Sequence, residues 1–283
     1  MLNSRNKDKV AVVIVLYNPK TEDIDNVRRI AKENEGVVVD NSLKPFMDGD
    51  TIGKMSYIYN KANLGIAEAQ NIALGKIFKD DYGYVVFLDQ DSRVAVDYPS
   101  QIAQEFSRID NGKLAVLGPN VVNSVTGEQY ASVIHKYETL DNGFSLRKHI
   151  ISSGSCISIN ALKNVGLMWG KLFIDYVDFE WCWRAESKGY QCGVTSHLQI
   201  THQVGKRELS FGKYKVIISA PQRYFYQYRN FIWLIGKKYV PLQWKFATGV
   251  KFFFRLLYFP ICVRGGISCW VNMIKGIKQG LGR

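Results

Sequence analysis

The sequence lacks acidic residues over its last quarter. Residues 209 to 283 contain thirteen Lys and Arg but no Asp or Glu, whereas residues 1 to 208 carry 24 basic and 25 acidic side chains. The formal charge of +12 therefore belongs to this last segment. Its basic residues alternate with aromatic ones, which indicates an interfacial segment attracted to anionic lipid headgroups. A helical subdomain packed on the main domain, with its lysines in water, is the alternative.

Cysteines and long apolar runs are also scarce. The five cysteines are scattered and form no C-x-x-C pair, which argues against a disulfide framework or a zinc knuckle and favours a reducing compartment. The amino terminus is polar and lacks the pattern of a signal peptide. The longest uncharged apolar stretches near the end of the chain, residues 256 to 263 and 265 to 274, are too short for a transmembrane helix. We therefore expect a cytoplasmic protein, peripheral on the inner face of the cell membrane.

Two nucleotide-binding motifs are missing. Neither G-x-G-x-x-G nor G-x-x-x-x-G-K-[ST] occurs, which disfavours a dinucleotide-binding fingerprint and a P-loop. The basic residues are interleaved with apolar runs that need burial, and no RNA- or DNA-binding motif is found, so nucleic acid is not an expected partner.

Short, continuous apolar runs alternate with helical patterns in the first half of the chain. Such runs are typical of strands buried on both faces of a parallel sheet, and the alternation predicts an α/β layer sandwich. Strands are predicted at residues 10 to 16, 37 to 39, 57 to 59, 84 to 88 and 114 to 117, and helices from Thr21 and over residues 64 to 78.

The second half has a mixed pattern. Strands are predicted at residues 129 to 136 and 150 to 159, and a helix over 177 to 188 precedes a strand over 191 to 196. Acidic residues end at Glu208. We place a domain boundary there, between a main domain of residues 1 to 208 and a basic, aromatic-rich helical region of residues 209 to 283.

Carboxylates follow two of the predicted strands. The run from residue 84 ends in Asp89 and Asp91, and ligands of open α/β sheets bind beyond the carboxyl ends of the strands. Two close carboxylates provide the oxygen ligands that a divalent cation prefers. The structural alternative is a turn or helix cap built from Asp89 and Ser92. Asp40 ends another run, where it suits a nucleobase or ribose, or an ordinary Asp-Asn-Ser turn.

Two further segments are candidates for chemistry. Residues 63 to 71 open a helix with small residues, which suits an anion or a closely approaching nucleotide, or simply tight helix packing. Residues 173 to 184 hold three carboxylates among large apolar groups. Glu180 and Arg184 are spaced to pair along a helix. Asp178, walled by aromatic residues, suits a general base with a raised pKa, or a helix N-cap.

Five ordered segments together resemble family 2 glycosyltransferases, and among them most closely the bacterial rhamnosyltransferases. The likeness covers roughly residues 10 to 235 and is carried by VIVLYNP (13 to 19), VVDNS (38 to 42), NLGIAEAQN (63 to 71), FLDQDS (87 to 92) and FIDYVDFEWC (173 to 182). The resemblance implies a GT-A fold: a Rossmann-like, mostly parallel sheet sandwiched by helices, here with a basic amphipathic helical extension at the carboxyl end. It also implies a nucleotide-sugar donor, a Mg²⁺ or Mn²⁺ ion and inversion at the anomeric carbon.

The resemblance assigns site roles to individual residues. Asp40 falls on the contact to the base or ribose, and Asp91 falls on the metal ligand with Asp89 beside it. His202 matches a position that can supply a further metal ligand, although a lone histidine is also often structural. The positions matching the donor pocket are Tyr17, Asp40, Asn63, Gly65, Gln70 and Asp89.

The resemblance also indicates the catalytic base and the acceptor side. The family's base is the second acid of a Glu-Asp pair and falls on Asp178, but Val177 replaces the first acid, which leaves Asp175 as a rival. Segment 151 to 156 resembles the acceptor-side strand, and the residues placed on the acceptor side are Ser153, Gly154 and Glu180. Segment 223 to 230 resembles the one that follows the catalytic domain in rhamnosyltransferases, or is a helix anchor.

The expected function follows from this resemblance. It is a metal-dependent inverting transfer of L-rhamnose from dTDP-L-rhamnose to a lipid-linked oligosaccharide acceptor at an anionic membrane surface, in bacterial cell-surface polysaccharide synthesis. The alternatives are the same fold with a UDP-hexose donor and a non-catalytic, membrane-bound scaffold that binds sugar nucleotides. A homo-oligomer is left open.

Overall fold

The computed structural model describes residues 9–123, 140, 142–202, 208–211 and 214–282. Within these ranges the strands are β1 (Val10–Leu16), β2 (Gly36–Asp40), β3 (Thr51–Ile52), β4 (Met55–Tyr59), β5 (Tyr84–Asp89), β6 (Leu114–Asn123), β7 (Phe144–Leu146), β8 (Cys156–Ser158), β9 (Gln191–His202), β10 (Glu208–Phe211) and β11 (Tyr214–Ile217). The helices are α1 (Thr21–Glu33), α2 (Gly65–Ile77), α3 (Tyr98–Ile109), α4 (Ile159–Val165), α5 (Val177–Ser187), α6 (Pro221–Ile235), α7 (Leu242–Cys262) and α8 (Gly266–Gly280), with a short 3-10 helix at Gly170–Leu172.

A nine-stranded sheet forms the centre of the molecule, in the order β3-β4-β2-β1-β5-β8-β6-β9-β7. Strands β4, β2, β1 and β5 pair in parallel, and β6 and β9 form a second parallel pair. The short strand β8 runs antiparallel between β5 and β6, so both parallel groups point in the same direction. The sheet is therefore mostly parallel, as predicted.

Helices cover both faces of this sheet. Alternate residues of β1 and β5 point to opposite sides, and both sides are buried, which accounts for the continuous apolar runs in the sequence. One face packs against α2, α4 and α5, and the other against α1 and α3. The predicted α/β sandwich is confirmed, and so are the helix starting at Thr21 and the five strands predicted in the first half.

One strand prediction is partly wrong. Of residues 150 to 159, only Cys156–Ser158 form a strand, and Ile159 already begins α4. The preceding residues turn instead: the Ser155 N–H donates to the Ser152 carbonyl at 2.9 Å. Gly154 adopts a φ of 75°, a left-handed conformation that ends an extended run. The strand predicted at residues 129 to 136 lies outside the described residues.

The basic region begins with strands and continues as helices. Strands β10 and β11 form a hairpin, after which α6, α7 and α8 enclose a small core of their own. Helix α8 packs closely on α6, because a Cβ at Gly276 would lie only 2.3 Å from the Phe225 carbonyl oxygen. Among the described residues, no helix combines the length and the apolar character needed to cross a bilayer.

Candidate functional site

The carboxyl ends of β1, β2 and β5 meet at one edge of the sheet. In the strand register, Leu16 lies beside Asp40, and Val15 lies beside Asp89. The exposed Tyr17 follows directly, and its backbone N–H donates to the side-chain oxygen of Gln90 at 2.8 Å. The fold therefore brings three of the predicted site residues to the edge where ligands of such sheets bind.

Asp89 and Asp91 lie on a tight turn at this edge. The Ser92 N–H donates to the Asp89 carbonyl at 3.0 Å, and the Asp89 N–H donates to the Ser92 hydroxyl at 2.9 Å. The turn predicted from Asp89 and Ser92 is therefore present, and these two hydrogen bonds close it. Asp91 is exposed, and within the described residues its carboxylate has no hydrogen-bond or ion-pair partner. The turn leaves this carboxylate available to a ligand.

The donor set at this turn fits a hard divalent cation. Mg²⁺ is usually bound by one or two carboxylates together with water and substrate phosphates, so two carboxylates at one strand end suffice. The described residues contain no cluster of three or more His, Cys, Asp or Glu that could hold a metal. The side chain of His202 lies outside the described part. Its backbone ends β9 next to Thr201, which forms a bridge with Arg93 just after the turn.

Asp40 is fully buried at the end of β2. Its Oδ1 accepts a hydrogen bond from the Ser42 N–H at 2.8 Å, and its Oδ2 accepts one from the Tyr57 hydroxyl at 2.7 Å. The Asp-Asn-Ser turn is therefore present. Burial and this bond raise the pKa of Tyr57 above its ordinary value. In this structure Asp40 is therefore buried and paired within the protein rather than open to a ligand.

The opening of α2 packs against a second loop of the site. Asn63 accepts a hydrogen bond from the Gly65 N–H at 3.0 Å, and Asn41 donates to the Gly65 carbonyl at 3.0 Å. Gly65 has a φ of 81°, and a Cβ there would lie 2.5 Å from the Phe173 carbonyl oxygen. Only glycine allows this approach. The predicted donor segment and the acidic segment after residue 172 are therefore in direct contact.

Asp178 is the second residue of α5, and the N-cap is Tyr176. The Oδ1 atom of Asp178 accepts a hydrogen bond from the backbone N–H of the next residue, Phe179, at 2.9 Å. Its Oδ2 atom accepts one from the Ser152 N–H at 3.2 Å. Desolvation by burial raises the pKa of Asp178 to about 6, against the opposing effect of these backbone donors. A carboxyl group with this pKa is suited to general-base chemistry near neutral pH.

Gln70 lies beneath the site rather than in it. This buried residue of α2 lines a cavity of about 10 Å³ together with Asp178 and Ser152. A cavity of this size is too small for a sugar or a nucleotide. Gln70 therefore packs behind Asp178 in this structure.

Asp175 has a different environment from Asp178. The guanidinium of Arg223 on α6 binds its carboxylate at both oxygens, with Nε at 2.9 and 3.0 Å and Nη2 at 2.8 Å. This pair raises the pKa of Arg223. The two candidate bases are thus distinguished by their partners, because Asp175 is held by a cation and Asp178 by backbone N–H groups.

All three residues predicted on the acceptor side are buried. The Ser153 hydroxyl lies 2.9 Å from that of Ser92, which connects this loop to the Asp89 turn, and the Gly154 carbonyl accepts from the Tyr98 hydroxyl at 2.6 Å. Glu180 is also buried. It pairs with Arg184 at 2.8 Å, which confirms the predicted helical pair, and accepts from the Tyr239 hydroxyl at 2.7 Å.

A cavity of about 540 Å³ lies at the opposite end of the sheet. Leu114 and Gln191, which begin β6 and β9, are among its lining residues. No predicted site residue lines it. This cavity is therefore separate from the candidate site at the carboxyl edge of the sheet.

Comparisons with known proteins show what the chain is similar to. No model of a known protein family matches the chain. The dTDP-rhamnosyl transferase RfbF of Shigella flexneri is 28% identical over 249 residues, and the alignment covers 82% of each chain. The crystal structure of S. aureus TarS 1-349 matches with a TM-score of 0.57 and 17% identity, covering 96% of this chain and 80% of that one.

The same fragment of TarS in complex with UDP-GlcNAc matches with a TM-score of 0.58 and 16% identity, covering 96% of this chain and 81% of that one. GalNAc-T7, solved with UDP, GalNAc and Mn²⁺, matches with a TM-score of 0.56 and 14% identity, covering 96% of this chain and 54% of that one. The chain has the GT-A glycosyltransferase fold. The resemblance expected from the sequence is confirmed.

Several residues that contact the candidate site acids were missed by sequence reasoning. Tyr57 caps Asp40, Ser152 donates to Asp178, and Arg223 holds Asp175. Each partner is distant in sequence from the acid it contacts, or makes the contact through its backbone. Ser152 lies in the segment matched to the acceptor-side strand, and Arg223 lies in the segment considered as a helix anchor. That helix does contact the acidic segment.

Proposed function

We propose that the protein is an inverting glycosyltransferase that transfers L-rhamnose from dTDP-L-rhamnose to a hydroxyl group of a glycan acceptor. The observation that carries this proposal is Asp178, a carboxyl group with a raised pKa within the acidic segment that contacts the donor motif at Gly65. The similarity to a dTDP-rhamnosyl transferase supports the choice of donor.

The proposed reaction is a single displacement. The acceptor oxygen forms a bond to the anomeric carbon while the bond from that carbon to the diphosphate oxygen breaks, and the nucleoside diphosphate leaves with the electron pair. The acceptor proton passes to Asp178. One base on the face opposite the leaving group is what inversion requires.

The contrast between the two acids favours Asp178 over Asp175. The Arg223 guanidinium already neutralises Asp175 and occupies both of its oxygens. With both oxygens engaged by the guanidinium, the Asp175 carboxylate is less accessible to an acceptor hydroxyl than that of Asp178. Asp178 has no charged partner among the described residues, and its burial makes proton uptake easier.

Asp89 and Asp91 are the residues that would hold a Mg²⁺ or Mn²⁺ ion. When bound, the ion supplies positive charge to the departing diphosphate. The chain's own contribution is to fix these carboxylates on a turn closed by Ser92, beside the end of β1. The Mn²⁺ in the GalNAc-T7 structure supports a divalent ion at this kind of site.

The basic helical region supports an acceptor at a membrane. One face of α7 exposes apolar side chains at helical spacing, which we call the α7 stripe: Leu242, Phe246, Val250, Phe253, Phe254, Leu257 and Ile261, each at least 40% exposed. No acidic residue occurs from residue 209 onward, so the surroundings carry only positive charge. Such a helix suits the interface of an anionic bilayer, where a lipid-linked oligosaccharide would be held. We therefore place the enzyme on the inner face of the cell membrane, with residues 1 to 208 as the catalytic domain.

A transfer assay tests the proposed function. The purified full chain is incubated with radiolabelled dTDP-L-rhamnose and a lipid-linked acceptor extract, with and without a chelator, and the label in the lipid fraction is measured. We expect transfer by the wild type and a loss of about 10²- to 10⁴-fold in kcat for Asp178→Asn, with donor binding retained. Asp25→Asn, an exposed aspartate on α1, is the matched control.

The same assay separates the alternatives. UDP-GlcNAc, present in one TarS structure, represents the UDP-hexose donors in the panel. Preferential transfer from that donor would correct the rhamnose assignment but keep the reaction type. Binding of sugar nucleotide without any product would support the non-catalytic scaffold, and full turnover by folded Asp178→Asn would refute the base.

A further inference from the structure

A strained turn precedes the proposed catalytic base. Phe173, Asp175 and Tyr176 all have φ values near 65°, and only two other non-glycine residues in the described chain, Asn18 and Lys61, have positive φ. The left-handed region is unfavourable for residues with a Cβ and is rare for aromatic ones. A strained turn persists only where surrounding contacts determine it, so we examined what holds this one.

Helix α6 binds the turn through one buried side chain. Asn230 is completely inaccessible to solvent, and its Nδ2 donates to the carbonyls of Leu172 at 2.9 Å, Ile174 at 2.8 Å and Asp175 at 3.1 Å. Three carbonyls of the turn therefore converge on one amide group. This arrangement requires a donor at the position of Nδ2.

Arg229 fixes the orientation of that amide. Its Nε and Nη2 donate to Asn230 Oδ1 at 3.0 and 2.9 Å, and its Nη2 also donates to the carbonyls of Lys171 and Leu172 at 2.8 and 3.0 Å. Because a guanidinium can only donate, it forces Oδ1 toward itself and Nδ2 toward the turn. The pair thus acts as one unit.

Two further contacts of α6 hold the side chains of the turn. The Tyr226 ring stacks on Phe173 with centroids 4.5 Å apart and planes 8° apart, and Arg223 binds the Asp175 carboxylate. The turn ends at Tyr176, the N-cap of α5, and Asp178 lies two residues later. The conformation of the turn therefore sets where α5 begins and where the Asp178 carboxylate points.

We infer that Asn230 is a positioning residue: by holding the carbonyls of the left-handed turn, it fixes the Asp178 carboxylate against the donor segment. The inference rests on the proposed function, because it assumes that Asp178 is the catalytic base. Asn230 itself contacts no substrate. A misplacement of about 1 Å at a reacting group can cost about 10²-fold in rate, so this link has a measurable effect.

The test compares Asn230→Asp with the wild type in the transfer assay. Aspartate keeps the size of the side chain but replaces the donor with an acceptor that repels the three carbonyls. We expect kcat to fall by at least about tenfold with the donor KM unchanged, and the apparent pKa of the acid limb of kcat/KM to move. The ionisable groups near Asp178 are Asp175, Arg223 and Cys182. The variant alters none of them but adds a carboxylate beside Arg229, so the fall in kcat on the plateau above pH 7 is the primary readout. Asn272→Asp is the control, because this partly exposed residue of α8 donates to the Ser268 carbonyl within its own helix and is hydrogen-bonded to no residue of the turn in the described part of the chain.

A second variant keeps the inference testable if Asn230→Asp does not fold. Arg223→Gln removes a half-exposed side chain that binds the same turn, and we expect a smaller fall in kcat on the plateau above pH 7. Its acid limb is not compared, because this variant also removes a cation near Asp178. Wild-type kcat in either folded variant would overturn the inference. It would also be overturned if the fall in kcat of Asn230→Asp matched the fraction of protein that no longer binds donor, with an unchanged pH profile. Absence of transfer by the wild type itself would instead refute the proposed function.

Discussion

The carboxyl edge of the sheet and the carboxyl-terminal helices differ in what they leave in contact with solvent. Among the described residues, the structure exposes six large hydrophobic side chains between residues 9 and 202 but twelve between residues 235 and 281. The sheet edge presents carboxylates on tight turns, whereas the α7 stripe presents aromatic and aliphatic groups among lysines. Under the proposed function the two regions serve different partners, a nucleotide sugar and a lipid surface. Helix α6 contacts both the turn before Asp178 and helix α8.

The largest expected effect concerns the α7 stripe. The double variant Phe254→Asp and Leu257→Asp places two charges where apolar side chains would enter the bilayer, and each lost burial is worth about 1.5–3 kcal/mol. We expect binding to vesicles of anionic lipid to weaken at least about 10²-fold, measured by co-sedimentation. The matched control is Leu43→Asp with Leu167→Asp, two exposed leucines of the main domain.

Two outcomes would break this part of the comparison. Unchanged vesicle binding by the double variant would show that the stripe is not the attachment surface. A shift from oligomer to monomer in size-exclusion chromatography, without any vesicle binding by the wild type, would assign the stripe to a second copy of the chain.

The next effect concerns the Asp89 turn. Asp91→Asn removes one carboxylate without disturbing the hydrogen bonds that close the turn, so we expect the metal concentration for half-maximal rate to rise by at least about tenfold. The measurement is a Mn²⁺ or Mg²⁺ titration of transfer, with Asp25→Asn as control. An unchanged titration would remove Asp91 from the metal site.

The third effect is the pH dependence of the wild type. Because burial raises the pKa of Asp178 to about 6, the base is protonated and inactive below that pH and ionised above it. We expect kcat/KM to be about tenfold lower at pH 5 than on the plateau above pH 7. A rate that stays constant down to pH 4.5 would contradict the raised pKa.

The smallest effect is on stability. The Asp178 carboxyl has a higher pKa folded than unfolded, so its stabilising contribution is complete below about pH 4 and is lost as the pH rises through about 6. Asp178→Asn cannot ionise. We expect it to be more stable than the wild type at pH 8 by on the order of 1–2 kcal/mol, a few degrees in Tm, and equally stable at pH 4. A Tm difference that is the same at both pH values would contradict this account.

Strand ends could be predicted from the sequence, but the partners of the acids could not. The runs that end in Asp40 and Asp89 are continuous and apolar, so their burial and the shared edge follow from the periodicity. Asp178 was singled out by its aromatic neighbours. The pairing of Asp175 with Arg223 joins residues 48 apart, and no local pattern encodes such a contact.

The same limit explains why the strand predicted over residues 150 to 159 was partly wrong. Its apolar and small residues fit an extended run, but Gly154 and the Ser152–Ser155 hydrogen bond turn the chain so that the Ser152 N–H reaches Asp178. In the local sequence, Asn230 and Arg229 also cannot be distinguished from ordinary residues of a helix. Their role is visible only once the left-handed turn lies against α6.

The close contact at Gly276 bears on the geometry of delivery. Helix α8 meets α6 at backbone distance, and α6 binds the turn before Asp178, so direct contacts between described residues connect α8 to the candidate site. If the α7 stripe binds a bilayer as proposed, these contacts set the height of the reacting centre above the bilayer surface. An acceptor would then have to present its hydroxyl at that height, and Gly276→Leu would change the height by pushing α8 away from α6.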